Sequence, residues 1–263
     1  MILRSYQAGE GPPVVLLHGL FGMARNLGFV QRALAGRFRV VGLDLRNHGD
    51  SPHAPDMRYD VMADDVAETL ASLGIRGAAV IGHSMGGKTA MRLALRHPEA
   101  VGRLCVADIA PVVYPPRNHP VVVALRGVPL MPGLTRAAAD AALAIEDAGL
   151  RAFLLQNLVF GEVPHWRIGL EEIAASLRDL EGWEPVEGLS WAGPALFVAG
   201  ARSDFILPEY RPAIRALFPA ARFVTIKNAG HWLHVDNPTA FMGTVEAFLS
   251  AISGAAPTPA AAP

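Results

Sequence analysis

The sequence has little of what builds cross-linked folds or charged interaction surfaces. It contains one cysteine, Cys105, so a disulfide within the chain and a cluster of thiolate ligands are both excluded. Charge of either sign is not in excess, since 23 Lys and Arg residues stand against 24 Asp and Glu residues without a basic stripe. The sequence therefore predicts neither nucleic acid nor an anionic membrane surface as a partner.

Long hydrophobic runs are missing as well. No run approaches the roughly 20 residues of a membrane-spanning helix, so stable membrane insertion is not predicted. The N-terminus lacks the apolar stretch of a signal peptide, and a cytoplasmic location is the expectation. Residues 254–263 contain only Ala, Pro, Gly and Thr, which predicts a disordered tail.

Apolar residues are nevertheless abundant, at 51% of the 263 residues, which is enough for the core of one large domain. They form short continuous runs that alternate with helical patterns. Continuous runs suit strands covered on both faces, so the pattern predicts a mostly parallel sheet flanked by helices. The predicted strands are 14–17, 39–43, 78–81, 104–107, 195–199 and 223–226, and the predicted helices are 26–36, 60–73, 85–97, 208–218 and 238–252.

This alternation stops between Pro111 and Gly193. The stretch begins rich in proline and shows no good strand, but it carries helical patterns near 135–148, 150–160 and 168–181. Ligands bind at the carboxyl edge of open α/β sheets, and a helical insertion between two core strands is typical of a lid over that edge. We therefore predict a core of residues 1–110 and 194–253 and a helical lid of residues 111–193.

The segment Gly82-His-Ser-Met-Gly86 matches the G-x-S-x-G pattern. An apolar strand pattern ends just before it, and a helical pattern begins just after it. In this strand–turn–helix setting the serine occupies a sharp turn, and the flanking glycines allow the strand and the helix to approach closely. Ser84 is therefore the predicted catalytic nucleophile.

A serine hydroxyl needs a base to be nucleophilic near neutral pH. Among nine histidines, His231 lies in Asn228-Ala-Gly-His-Trp232, between the last predicted strand and the last predicted helix. That loop belongs to the same sheet edge as Ser84, so His231 is the predicted base. The other histidines near this edge, His18, His48, His83 and His234, are interpreted as structural.

The base needs a carboxylate that holds its tautomer. Two aspartates follow core strands at the correct edge, namely Asp108 and Asp204. The position of Asp204 is the commoner one in such folds, but the residues alone leave both open.

The tetrahedral intermediate needs two N–H donors. Met85, directly after the nucleophile, is predicted to supply one. The loop after the first core strand, His18-Gly-Leu-Phe-Gly22, is predicted to supply the other from Leu20, with Phe21 as the alternative. This chemistry needs neither a cofactor nor a metal, and none is predicted.

With these residues identified, the chain resembles the small α/β-hydrolase esterases of the bacterial YbfF type and related α/β-hydrolase domain proteins. The matching segments are His18-Gly-Leu-Phe-Gly22 with Asn26-Leu27, Asp44-Leu-Arg-Asn-His-Gly-Asp-Ser-Pro52, Gly82-His-Ser-Met-Gly-Gly-Lys88, Asp108-Ile-Ala-Pro-Val112, Gly182-Trp-Glu184 and Gly230-His-Trp-Leu-His234. Members of this family often have a non-acidic residue where this chain has Asp204. The resemblance therefore favours Asp108 as the acid, although this chain carries both.

The resemblance implies the α/β-hydrolase fold and hydrolysis of short- to medium-chain acyl esters, with acyl thioesters such as acyl-CoA as a further class. The expected partner is thus a small acyl ester. Cofactor-free haloperoxidase or perhydrolase activity and the hydrolysis of lactones or carbon–carbon bonds use the same side chains and stay open as alternatives. A ligand-binding protein without activity is a third possibility. The oligomeric state cannot be read from the sequence.

Overall fold

The computed structural model describes residues 1–186 and 188–250. Its strands are β1 Ser5–Ala8, β2 Pro13–Leu17, β3 Arg39–Leu43, β4 Ala78–His83, β5 Val101–Ala107, β6 Leu158–Val159, β7 His165–Trp166, β8 Ala195–Gly200 and β9 Ala221–Ile226. In the described residues, seven of these strands form one sheet in the order β1-β3-β2-β4-β5-β8-β9. Only its edge strand β1 is antiparallel to its neighbour. The predicted sheet is confirmed, and each predicted strand lies within an observed one.

Strand β2 shows why the apolar runs are continuous. Its side chains alternate between the two faces of the sheet. Val15 and Leu17 join an apolar cluster with the helices on one face, whereas Val14 and Leu16 join a second cluster on the other face. Strand β1 was missed by sequence reasoning because Ser5-Tyr-Gln-Ala8 lies at the sheet edge, is only partly buried and has no apolar run.

The helices are α1 Gly28–Leu34, α2 Tyr59–Ser72, α3 Met85–Arg96, α4 His119–Arg126, α5 Arg136–Ala142, α6 Ala148–Leu154, α7 Leu170–Ala175, α8 Leu177–Glu181, α9 Arg211–Leu217, α10 Leu233–Asp236 and α11 Pro238–Ser250. The predicted core helices overlap α1, α2, α3, α9 and α11. The last two residues of the predicted helix 238–252 and the predicted tail 254–263 lie outside the described residues. Among the described helices, none combines the length and the apolar character that crossing a bilayer requires.

Residues 111–193 differ more from their prediction. The expectation of no strand there is wrong, because Leu158–Val159 pairs antiparallel with His165–Trp166. A pairing of two residues is too short to produce a recognisable alternation of polarity. Helix α4 lies in the proline-rich stretch where no helix was predicted. Pro120 is tolerated in its first turn, because the backbone N–H groups of a first turn form no hydrogen bonds within the helix. The division into core and lid stays a prediction.

Lys88 of helix α3 binds main-chain carbonyl oxygens near both ends of residues 111–193. The Lys88 ammonium donates hydrogen bonds to the carbonyl oxygen of Val112 (3.0 Å), near the start of the insertion. It also donates to the carbonyl oxygens of Glu181 (3.3 Å) and Gly182, near its end. Burial lowers the pKa of Lys88 to about 7. One side chain of the core therefore connects the two ends of residues 111–193.

Candidate active site

Ser84 lies at the turn between β4 and α3. Its backbone has φ 52° and ψ −120°, a conformation that is strained for a residue with a side chain. The turn closes tightly: a Cβ on Gly82 would lie 2.2 Å from the carbonyl oxygen of Gly86, and a Cβ on Gly86 would lie 2.4 Å from that of Leu17. Glycine is therefore required at both positions, and the turn presents the Ser84 side chain at the carboxyl edge of the sheet.

The structure brings three predicted site residues into one hydrogen-bonded chain. Ser84 Oγ lies 2.9 Å from His231 Nε2, and His231 Nδ1 lies 2.8 Å from Asp108 Oδ2. Because an ionised carboxylate only accepts, Nδ1 of His231 carries the proton and Nε2 is free to accept from the Ser84 hydroxyl. The three residues come from the ends of β4 and β5 and from the loop after β9.

Asp108 is fully buried and also has a positive φ, of 54°. Its Oδ1 accepts a hydrogen bond from the Gly200 N–H (3.0 Å). Its Oδ2 accepts one from the Ser203 hydroxyl as well as from His231. Sequence reasoning missed Ser203, whose only signal was its place beside Asp204 in the loop after β8. These bonds hold the carboxylate in one orientation towards the imidazole.

Asp204, the alternative acid, lies elsewhere. Its side chain is 59% exposed and forms a two-pronged ion pair with Arg117 at 2.8 and 2.9 Å. This guanidinium lowers the pKa of the Asp204 carboxyl. Across residues 1–186 and 188–250, no hydrogen bond joins Asp204 to His231. The pair instead links the insertion to the loop after β8.

Two aromatic neighbours hold His231 in place. The Phe205 ring stacks on the imidazole with 4.0 Å between centroids and 26° between planes. His83, directly before Ser84, donates from Nε2 to the carbonyl oxygen of His231 at 2.8 Å. Burial lowers the pKa of His83 well below its ordinary value, so its ring stays neutral at neutral pH. His231 is therefore fixed at its ring and at its main chain.

The loop His18–Gly22 packs against Ser84, since a Cβ on Gly19 would lie 3.3 Å from the Ser84 Cβ. In the described part of the chain, the N–H groups of Leu20 and Met85 donate to no protein acceptor. The Phe21 N–H, in contrast, donates to His48 Nε2 at 3.1 Å. Of the two alternatives predicted from this loop, Leu20 has a free donor and Phe21 does not.

Two buried histidines anchor this loop. His18 donates from Nδ1 to the Gly19 carbonyl oxygen (2.8 Å) and accepts at Nε2 from the Leu45 N–H (2.9 Å). His48 donates from Nδ1 to the Arg46 carbonyl oxygen (2.8 Å), which leaves its Nε2 to accept. Burial lowers the pKa of His18 to about 4 and that of His48 to about 3. Both rings are therefore neutral at neutral pH, as their acceptor roles require.

Comparison with known proteins identifies the family. A family model described as the alpha/beta hydrolase fold matches residues 12–238. The chain belongs to the α/β-hydrolase family. This hydrolase is 41% identical over 261 residues to the mouse sn-1-specific diacylglycerol lipase ABHD11, which covers 94% of this chain and 85% of the mouse protein.

It is also 37% identical to the esterase YbfF of Escherichia coli K12, over 90% of this chain and 93% of that protein. A solved structure, a marine microorganism esterase, is 36% identical with a TM-score of 0.91, over 94% of this chain and 99% of that one. The resemblance to YbfF-type esterases is thereby confirmed, and the hydrolase is a carboxylic ester hydrolase.

The hydrolase has a cavity of about 620 Å³ between Ser84 and residues of the insertion. Its apolar lining includes Leu27, Ile109, Val121, Leu150, Phe153 and Trp232, and its polar lining includes Arg117, Asn118, Gln156 and Glu181. Within residues 1–186 and 188–250, no three His, Cys, Asp or Glu side chains are grouped as a metal ion would require. The cavity therefore combines a mostly apolar lining with a few polar groups next to the Ser84 side chain.

Proposed function

We propose that this esterase acts through an acyl-enzyme on Ser84, with His231 as general base and Asp108 as the carboxylate that orients it. The continuous hydrogen-bonded chain from Ser84 Oγ through His231 to Asp108 carries the proposal. Asp108 is buried and accepts from a neutral imidazole, which is the arrangement that serine hydrolysis needs. The exposed Asp204 is engaged by Arg117 and is therefore the weaker candidate.

In the first half of the reaction, the Ser84 hydroxyl transfers its proton to His231 Nε2 as its oxygen bonds to the ester carbonyl carbon. Asp108 stabilises the imidazolium that forms. The tetrahedral intermediate collapses, its bond to the alcohol breaks, and the alcohol leaves with the proton from His231. A water molecule then repeats the sequence on the acyl-enzyme, which releases the carboxylic acid and restores Ser84.

The negative charge on the former carbonyl oxygen needs donors that are in place before the reaction. We assign this task to the N–H groups of Leu20 and Met85, neither of which has an acceptor among residues 1–186 and 188–250. Phe21 is the poorer choice, because His48 already occupies its N–H.

The substrates we propose are esters of short- to medium-chain acids, with acyl thioesters as a further class. The support is the apolar lining of a cavity of about 620 Å³, which suits an acyl chain better than a charged group. We further propose that residues 111–193 act as a lid, since Val121, Leu150 and Phe153 of this segment line the cavity. Initial rates on p-nitrophenyl esters and acyl-CoAs of increasing chain length would define the preference, and adding peroxide or lactones would test the alternative reactions.

The nucleophile can be tested directly with a fluorophosphonate probe, which labels activated serines. We expect the wild type to be labelled and Ser84→Ala to be unlabelled, with kcat lowered by about 10⁴-fold or more because the nucleophile is gone. Ser72→Ala is the matched control, since Ser72 lies at the end of α2 and its hydroxyl donates to the Thr69 carbonyl oxygen, far from Ser84 in the sequence. Unchanged labelling of Ser84→Ala, or a wild type that cleaves no p-nitrophenyl butyrate, would contradict the proposal.

A further inference from the structure

The peptide groups on either side of Phe21 are held by two side chains that the proposed mechanism leaves unused. His48 Nε2 accepts the Phe21 N–H at 3.1 Å. Asn157 Nδ2 donates to the Phe21 carbonyl oxygen at 2.7 Å. Phe21 itself has φ 60°, in the left-handed region that disfavours a residue with a side chain. A strained backbone of this kind persists only when its surroundings hold it.

The His48 contact comes from the core. The side chain is fully buried, and its Nδ1–H is committed to the Arg46 carbonyl oxygen. The neutral ring therefore presents Nε2 as an acceptor, and the Phe21 N–H is its partner. Because this N–H is occupied, it cannot also serve an oxyanion.

The Asn157 contact comes from the insertion. Asn157 is fully buried in the turn Leu155–Asn157 that follows α6. The preceding residue docks on the same region: Gln156 accepts at its carbonyl oxygen from Arg25 (2.8 Å) and at Oε1 from Asn26 (2.8 Å). Three hydrogen bonds thus join this turn of the insertion to the loop that follows β2.

The direction of the Leu20 N–H follows from its peptide plane. The carbonyl oxygen of Gly19 accepts from the His18 ring (2.8 Å) and from the Gly22 N–H (3.0 Å). In a trans peptide the next N–H points the opposite way, so the Leu20 N–H is directed away from these two donors. Holding Phe21 on both sides prevents the neighbouring peptide planes from rotating out of this arrangement.

We propose that Asn157 and His48 are positioning residues for the oxyanion hole, which hold Phe21 between the insertion and the core so that the Leu20 N–H stays free for the reacting oxygen. This inference rests on the proposed function, since it assigns a role in the same reaction. It also makes the oxyanion hole dependent on the insertion, because a displacement of residues 155–157 removes the bond to Phe21.

The first test replaces Asn157 by Leu, which has a similar shape but no donor. Weakening an oxyanion donor costs less than deleting it, so we expect kcat for p-nitrophenyl butyrate to fall by about 10- to 100-fold with KM within about twofold. Thr135→Ala is the matched control, because it removes the cap of α5 in the same insertion and does not touch Phe21. A loss in Asn157→Leu no larger than that in Thr135→Ala would overturn the role of Asn157.

The second test separates the two nitrogens of His48. In His48→Gln, the amide oxygen can take the place of Nε2 and accept from Phe21, whereas His48→Asn reaches only the Nδ1 side. We expect Gln to retain kcat within about threefold and Asn to lose about 10-fold or more, because only Gln keeps the acceptor. Equal losses in the two variants would overturn the role of His48.

A spectroscopic measurement reports on the hole itself. A ¹³C-labelled trifluoromethyl ketone adds to Ser84 as a hemiketal, whose hydroxyl ionises more easily when N–H donors face it. We expect the pKa of this hydroxyl, followed by the ¹³C shift, to rise in Asn157→Leu and His48→Asn and to stay at the wild-type value in Thr135→Ala. An unchanged pKa in both variants contradicts the inference alone. A wild type that forms no hemiketal contradicts the proposed function as well.

Discussion

The sheet core and the insertion of residues 111–193 are stabilised in different ways. The core has a continuous strand ladder and apolar clusters on both faces. The insertion's helices span only five to eight residues, lengths at which an isolated helix is marginal in water. It is joined to the core partly through polar side chains that bind its main chain, such as Tyr59 to the Leu180 carbonyl oxygen (2.6 Å) and Lys88 at both ends.

This difference separates two kinds of role. Ser84, Asp108 and His231 follow core strands, so the sheet itself sets the distances between them. The insertion lines the cavity and reaches the site through a few polar contacts, among them Arg117 to Asp204 and Asn157 to Phe21. Substitutions of Ser84, Asp108 or His231 should therefore abolish the reaction. A substitution at a contact of the insertion that does not bear on the oxyanion hole, such as Arg117 to Asp204, should change stability and access more than chemistry.

The largest expected effect concerns the two aspartates. Asp108→Asn should lower kcat by about 10⁴-fold, because the amide favours the wrong imidazole tautomer while keeping the shape. Asp204→Asn should lower it by less than about threefold, since it loses only an exposed ion pair worth about 1 kcal/mol or less. Steady-state kinetics on p-nitrophenyl butyrate measure both. A large loss in Asp204→Asn with little in Asp108→Asn would reverse our assignment of the acid.

This pair of aspartates also shows where sequence reasoning stops. The residues place both at the carboxyl edge of the sheet, because each follows a core strand. The sequence does not give the direction in which a loop side chain points. In the loop after β8, the Ser203 side chain points to Asp108, whereas the Asp204 side chain points to Arg117. The resemblance to a family, and not the periodicity, favoured Asp108. The links from His48 and Asn157 to Phe21 carry no local pattern, since they join residues distant in sequence.

Sequence patterns predicted the elements of the sheet core better than those of residues 111–193, because contacts between distant residues leave no local pattern. Core strands such as β4 are buried on both faces, so their composition alone identifies them. In the insertion, the predicted helix 135–148 is only the seven-residue α5, because Leu143 leaves the helical conformation with ψ 108°. Nothing in the local composition marks that residue as the end. Short elements held by distant contacts are therefore the part that sequence patterns describe least well.

A smaller effect is expected when the contacts of Lys88 with residues 111–193 are removed. Lys88→Met keeps an apolar stem but leaves the partly buried carbonyl oxygens of Val112 and Gly182 without this donor, whereas that of Glu181 keeps the Tyr114 N–H. The free energy of unfolding should therefore fall by about 1–3 kcal/mol. Urea denaturation measures this loss, and limited proteolysis should cut within residues 111–193 before the core. KM should rise more than kcat falls, because the cavity loosens while the Ser84, His231 and Asp108 distances remain.

The chain offers a matched control, since its only other lysine is the exposed Lys227. Lys227→Met should change the free energy of unfolding by less than about 0.5 kcal/mol. If the two variants lose equal stability, or if proteolysis of Lys88→Met begins in α2 or α11, the fastening role of Lys88 is wrong.

The smallest expected effect tests whether the insertion opens independently of the core. The Asp147 side chain accepts from the Leu150 N–H at 3.0 Å and caps the start of α6, so Asp147→Ala should cost α6 about 1 kcal/mol. If α6 opens locally, its amide hydrogens should exchange about fivefold faster, while those of α3 and the urea midpoint stay unchanged. Asp179→Ala removes the same charge from the exposed face of α8 and serves as the control. An equal acceleration of amide exchange in α3 and α6 would show instead that core and insertion open together. The two regions would then differ in their contacts but not in their stability.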